Sequence, residues 1–199
     1  MNLIDIFCIK VRNPNTLSIV KVFAVVKLLV FLAVLPICVG AQSTQTEEAK
    51  KYVAKQKGLY IYQFLKNIEW PKELLTGDLV VGVYGDENVF QQLSSTCSGK
   101  FIGNHKIKVI RYISATEVTK ECHLLYVSEN KSSQLATIHK KNGANTIIIG
   151  NKTGLLSSGA IINFIIKANK LAFEINKTAA DKLKLTFSQL LIKLAVNVI

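Results

Sequence analysis

Four short apolar runs recur along this chain, and the stretches between them are patterned as helices. The runs are Asp78-Leu-Val-Val-Gly-Val-Tyr84, Lys106-Ile-Lys-Val-Ile-Arg111, His123-Leu-Leu-Tyr-Val-Ser128 and Thr146-Ile-Ile-Ile149. The second alternates over Lys106–Val109, as a half-exposed strand does; the fourth is apolar over 147–149, as a strand covered on both faces is. Strands separated by helix-length segments close into a parallel sheet, because a parallel pair needs a crossover connection. The helices predicted between them are Glu87 to about Ser95 and Ser132 to about Lys141, with one helical turn near Thr116-Glu117-Val118. The pattern then changes. Residues 160–166 and 171–175 read as two strands joined by a hairpin at Lys167-Ala-Asn-Lys170. Asn176 is placed to cap a helix over 177–182. A last helix is predicted over 187–196 with Leu190, Leu191, Leu194 and Ala195 inward. The fold class expected is a three-layer α/β sandwich with a mixed, mostly parallel sheet and a C-terminal β-hairpin plus helices.

Ahead of the first strand, Thr46-Glu47-Glu48 resembles a cap with an acidic first turn, and a helix is predicted from there to Asn67, with Pro71 helping to end it. Residues 42–46 read as a polar lead-in. Tyr52, Val53, Leu59, Tyr60 and Phe64 share one arc, widened by Ile61, Leu65 and Ile68. So wide an apolar face implies cover from more than one side, by the sheet and by a second copy or a partner.

The N-terminus reads as an export signal. Lys21 and Lys27 precede an uncharged core from Leu28 to Val39, and Val39-Gly-Ala41 supplies small residues for cleavage before Gln42. An uncleaved anchor over Leu17–Val39 is the alternative, though two lysines interrupt it. Leu35-Pro-Ile-Cys38 is a poor lipoprotein box, with Ile37 where a small residue belongs. The organisation expected is therefore residues 1–41 as signal peptide and 42–199 as one domain, a size that supports one core. Cleavage leaves two of four cysteines, Cys97 and Cys122, which in an oxidising compartment read as one disulfide.

Residues 42–199 hold 21 Lys+Arg against 12 Asp+Glu, a net charge of +9. The excess is nearly all lysine and is scattered; Arg111 is the one arginine. Nucleic-acid readers depend on arginine for bidentate contacts, so no nucleic-acid partner is expected. No GxGxxG, P-loop, GxSxG or HExxH spacing occurs, and Gly150-Asn-Lys-Thr-Gly154 reads as a turn. His105, His123 and His139 are isolated in sequence, and Cys122 and His123, adjacent on a strand, point to opposite faces. No metal, cofactor or catalytic set is therefore assigned. Among the carboxylates, Glu69, Asp86 and Glu174 sit beside element ends or within a strand. Gly85-Asp-Glu87 follows a strand and opens a helix, the position where open α/β sheets bind ligands.

Five segments carry a resemblance. Phe64-Leu-Lys-Asn-Ile-Glu-Trp-Pro71, Val80–Gly85, Cys122–Ser128, Gly159–Phe164 and Phe173-Glu-Ile-Asn176 with Leu185–Leu191 together resemble, in order, the motifs of the YfiR family of exported bacterial proteins. Asn67, Phe187 and Ser158 depart from its usual residues. The resemblance implies a non-catalytic regulator in the periplasm of a Gram-negative bacterium. Its expected partner is the periplasmic domain of an inner-membrane signalling protein, foremost a diguanylate cyclase that it represses. That would lower cyclic-di-GMP and biofilm formation, with sensitivity to envelope redox state. It also implies a possible homodimer. A sensor-kinase accessory role and a small-ligand carrier are the alternatives. Trp70 and Glu174 are the candidate partner contacts.

Overall fold

Strand β2 (Leu79–Tyr84) is buried along its whole length, and its side chains divide between two helical layers. Leu79, Val81 and Val83 enter one apolar cluster, Tyr84 the other. A strand in that setting must be central, and it is. The computed structural model describes residues 39–119, 122–142 and 146–199. Within it, Glu48–Ile199 forms one compact unit.

Around β2 the elements are α1 (Val39–Asn67), β1 (Ile68–Glu69), α2 (Glu87–Cys97), β3 (Phe101–Ile102), β4 (His105–Tyr112), β5 (Leu124–Val127), α3 (Leu135–Asn142) and β6 (Ile147–Gly150). They continue with β7 (Ile162–Lys167), β8 (Lys170–Ile175), α4 (Lys177–Lys182), β9 (Thr186–Phe187), α5 (Gln189–Leu194) and β10 (Asn197–Val198). The large sheet runs β10-β8-β7-β6-β5-β2-β4-β3. All its pairs are parallel except β7–β8 and β3–β4. Helices α1, α2, α4 and α5 contribute to the cluster on one face, and α3 to the cluster on the other. The expected three-layer α/β sandwich with a mixed, mostly parallel sheet is thus observed.

The β7–β8 hairpin turns on Ala168 and Asn169, both at positive φ (48° and 59°), as a two-residue turn matching strand twist requires. Asn176 caps α4 by accepting from the Ala179 N–H at 2.8 Å. Both follow from the sequence.

Other expectations need correction. Helix α1 starts at Val39, so residues 42–46 are helical rather than a lead-in. Gln42-Ser-Thr-Gln-Thr46 contains no glycine or proline to interrupt a helix. The expected signal segment otherwise lies outside the described residues. No helix among the described residues is long and apolar enough to cross a membrane. The buried stripe of α1 is Ala54, Lys57, Gly58, Ile61, Phe64 and Leu65, while Tyr52 (63 % exposed) and Leu59 (47 %) lie outside it. Gly58 belongs inside because a Cβ there would come within 3.3 Å of the Leu93 backbone of α2. The last helix is also shorter than expected. Phe187 pairs with Ile68 in a two-stranded ladder instead, and Ser188 caps α5 by accepting from the Leu191 N–H at 3.2 Å. That register buries Leu191 and leaves Leu190 and Leu194 exposed.

The two cysteines of the expected disulfide fall in different apolar clusters. Among the described residues Cys97 and Cys122 are free, buried thiols. Cys97, at the end of α2, belongs to the cluster under α1; Cys122 belongs to the cluster under α3, with the sheet between. A disulfide needs Cα atoms roughly 4.4–6.8 Å apart, and the two thiols belong to apolar clusters on opposite faces of the sheet. Burial pushes the Cys97 thiol up to about 11 and the Cys122 thiol up to about 12. Both sites therefore favour the neutral thiol. That contribution is intact below the ordinary thiol value of 9.0 and is lost as pH climbs from there through 11 and 12. In the folded protein at neutral pH, mapping of iodoacetamide-modified peptides should find both thiols unmodified, with full labelling only after denaturation. A Cys97–Cys122 cross-linked peptide in the same maps would contradict this placement.

Candidate functional site

Sheet topology selects the site. β4 lies on one side of β2 and β5 on the other, so the chain reverses direction of travel across the sheet at β2. Open α/β sheets offer a crevice beyond the carboxyl ends of the strands at such a point. Here those ends carry Tyr84-Gly-Asp86 and Val127-Ser-Glu129. Gly85 holds φ at +87°, and a Cβ there would lie 2.3 Å from Ser128 Oγ, so the bend brings the two loops together. Asp86 then caps α2, its Oδ1 accepting from the Val89 N–H at 3.1 Å.

Two residues not singled out in the sequence complete the site. Tyr126 of β5 is fully buried and donates its hydroxyl proton to Asp86 Oδ2 at 3.4 Å. Lys57 of α1 is 7 % exposed, and its Nζ donates to Tyr126 Oη at 3.0 Å. Burial lowers the Lys57 ammonium from its usual value, and the negative charges of Asp86 and Glu129 oppose that shift. Burial, then Asp86, pushes the Tyr126 phenol above its usual range. The signal for Lys57 was present: it lies three residues after Ala54 and four before Ile61, in the middle of the apolar stripe.

Two adjoining hollows open here. One, of about 340 Å³, is lined by Gly85, Asp86, Ser128, Glu129, Asn130 and Asn151. The other, of about 380 Å³, has Lys57, Lys152, Thr153, Phe164 and Leu171 among its walls and shares Glu129 and Asn151 with the first. The Gly150–Gly154 segment, expected as a turn, forms part of this wall. The fully buried Asn163 holds it, accepting from the Lys152 N–H at 3.3 Å.

Trp70 and Glu174 are not brought together. Trp70 packs half-buried against the α1-side cluster, edge-on to His123 with ring centroids 6.1 Å apart. Its indole N–H is buried without a hydrogen-bond partner among the described residues. His123 accepts from the Val80 N–H at its Nδ1 (3.0 Å) and donates from Nε2 to Leu74 O (2.7 Å), tying the loop after Trp70 to the sheet. Glu174 lies on the other face, accepting from the amides of Asn163 (3.3 Å) and Asn197 (3.4 Å). Its carboxylate therefore supports the buried asparagine that holds the cleft wall. Glu69 is an exposed residue of β1. No group of three or more His, Cys, Asp or Glu able to hold a metal ion occurs among the described residues.

The model of the YfiR/HmsC-like family, DUF4154, matches residues 54–196, nearly the whole compact unit. The chain belongs to the YfiR/HmsC-like family. Proteins of the YfiR/HmsC-like family are, in general, periplasmic regulators of cyclic-di-GMP signalling. No curated protein matches the chain. Among solved structures, a conserved domain protein from Vibrio cholerae O1 biovar El Tor is similar at TM-score 0.52 and 14 % identity, over 73 % of this chain. The match spans 60 % of the Vibrio chain, so the similarity concerns the fold and part of that protein's length. The ABC domain in complex with L-Trp from Streptococcus pneumonia is more distant, with TM-score 0.44 and 16 % identity over 60 % of this chain and 55 % of its own.

Proposed function

We propose that this YfiR/HmsC-like protein is exported, matures at Gln42 and represses an inner-membrane diguanylate cyclase by binding its periplasmic domain. The observation that carries this reading is the family match across residues 54–196. The architecture is compatible with it. Buried polar groups, Lys57, Asn163 and His123, fix the positions of loops at the sheet ends without assembling a nucleophile, a base and an orienting group. Trp70 is the proposed contact residue, since its half-buried ring sits at the corner where α1 gives way to the β1 ladder. Glu174, with both oxygens engaged by asparagine amides, fits a positioning role better than the contact expected of it. A second copy of the chain is the other proposed partner, through the exposed stripe of α1 that bears Tyr52 and Leu59.

Cross-linking in intact cells followed by purification of the tagged protein tests the reading. A membrane protein with a periplasmic sensing domain and a cytoplasmic cyclase domain should be recovered, and Trp70→Ala should weaken its recovery while the fold persists. Recovery of a sensor kinase in its place would move the protein to a different signalling output.

A further inference from the structure

Lys57 is short of partners. An ammonium has three N–H donors, and here one reaches Tyr126 Oη at 3.0 Å and Nζ lies 5.4 Å from the centroid of that ring, while Asp86 and Glu129 act on it through space and not by a hydrogen bond. It is nonetheless 7 % exposed and forms part of the wall of the 380 Å³ hollow. A buried charge left with one neutral hydrogen bond is costly, and a ligand that supplies acceptor atoms removes that cost.

We propose that this hollow binds a small carboxylate, its oxygens on Lys57 and its apolar body on Val53, Phe164 and Leu171. Each part has a reason. The two unfilled donors of Lys57 match the two oxygens of a carboxylate in a charge-assisted pair. Lys152 brings a second positive charge to the wall, and Glu129 a negative one. That balance suits a single negative charge and disfavours a phosphate dianion. Val53, Phe164 and Leu171 form the apolar side, and the volume lies at the small end of the range for small-molecule sites. Asp86 accepts from Tyr126 and from the Val89 N–H that opens α2, and it makes no hydrogen bond to Lys57. The sequence singled out the Gly85-Asp86 end; the structure moves the ligand site to the Lys57 side of the shared Glu129–Asn151 wall. This inference goes beyond the regulatory reading and does not depend on which membrane protein is bound.

Calorimetric titration of the purified protein with hexanoate and phenylpropanoate, against hexanamide and phenylpropanamide, separates charge recognition from greasy filling. The carboxylates should bind at least about tenfold more tightly than the amides, as expected for loss of one charge-assisted contact. Lys57→Met should lose that preference while melting no lower than the parent without ligand, because it replaces an under-paired charge with an apolar chain of similar length. Equal binding of acid and amide, absence of binding by either acid at millimolar concentration, or an undiminished preference in a folded Lys57→Met would each overturn the proposal. The comparison of acid with amide on the unaltered protein decides the matter even if Lys57→Met does not fold.

Discussion

Phe64→Ala should cost about 3–5 kcal/mol, the range for emptying a buried aromatic site. In a domain of this size that is a melting-temperature drop on the order of 10 °C. Phe64 is fully buried on α1 and meets Phe173 edge-on with ring centroids 4.9 Å apart, Phe164 at 5.8 Å and Tyr60 at 6.1 Å. Those rings come from α1, β7 and β8, elements far apart in sequence, so the cluster ties the N-terminal helix to the C-terminal hairpin. Relaxation cannot fill the space, because the neighbours are themselves held by two strands of one sheet. Thermal denaturation followed by circular dichroism measures the loss. Tyr52→Ala, on the exposed side of the same helix, should change stability by less than about 0.5 kcal/mol. Equal effects at the two positions would contradict the assigned register of α1.

Gly82→Val should be about as damaging on the opposite face, at roughly 3 kcal/mol or more, through overpacking rather than a cavity. A Cβ at Gly82 would stand 2.5 Å from the Tyr112 ring, 2.7 Å from Leu125 Cδ1 and 3.0 Å from Cys122 Sγ. The ring of Tyr112 is buried and cannot swing away freely. Tyr112→Leu in the same chain should recover part of the lost stability, because it removes the nearest obstruction. Urea unfolding of the single and double variants checks both statements. Additive losses would mean that Tyr112 is not what a side chain at this position strikes.

Much of the fold was legible because its signals are local. The strand runs at 78–84, 106–111, 123–128 and 146–149 form β2, β4, β5 and β6 with ends shifted by a residue or two. The hairpin at 167–170 and the cap at Asn176 were read from turn and capping chemistry alone. The misses share a physical cause, which is dependence on partners distant in the chain. Phe187 becomes a strand because Ile68 is there to pair with it, and β10 exists because β8 offers an edge. Leu190 and Leu194 face outward because Ser188, not Phe187, begins α5. The two cysteines were paired on compartment and count, and the sheet that separates them cannot be read from spacing. For the site, Gly85-Asp86 was found from its strand-to-helix position. Tyr126 and Lys57 were not, because an apolar strand conceals one hydroxyl and a lysine on a helix is ordinarily solvated. The spacing of that lysine between Ala54 and Ile61 places it on the apolar stripe, and the structure shows that stripe buried.

The central claim is that this YfiR/HmsC-like chain restrains cyclic-di-GMP synthesis from outside the inner membrane. Measuring cyclic-di-GMP by mass spectrometry in cells lacking the protein tests it most directly, with three add-back strains. One add-back carries the full chain, one lacks residues 1–41, and one carries Trp70→Ala. The account predicts a higher nucleotide level and more surface attachment in the deletion strain. The full chain should restore the original level and the leaderless form should leave it high, since the proposed partner's sensing domain would lie across the membrane. Trp70→Ala should restore it only in part. An unchanged cyclic-di-GMP level in the deletion strain, under both oxidising and reducing growth, would contradict the account.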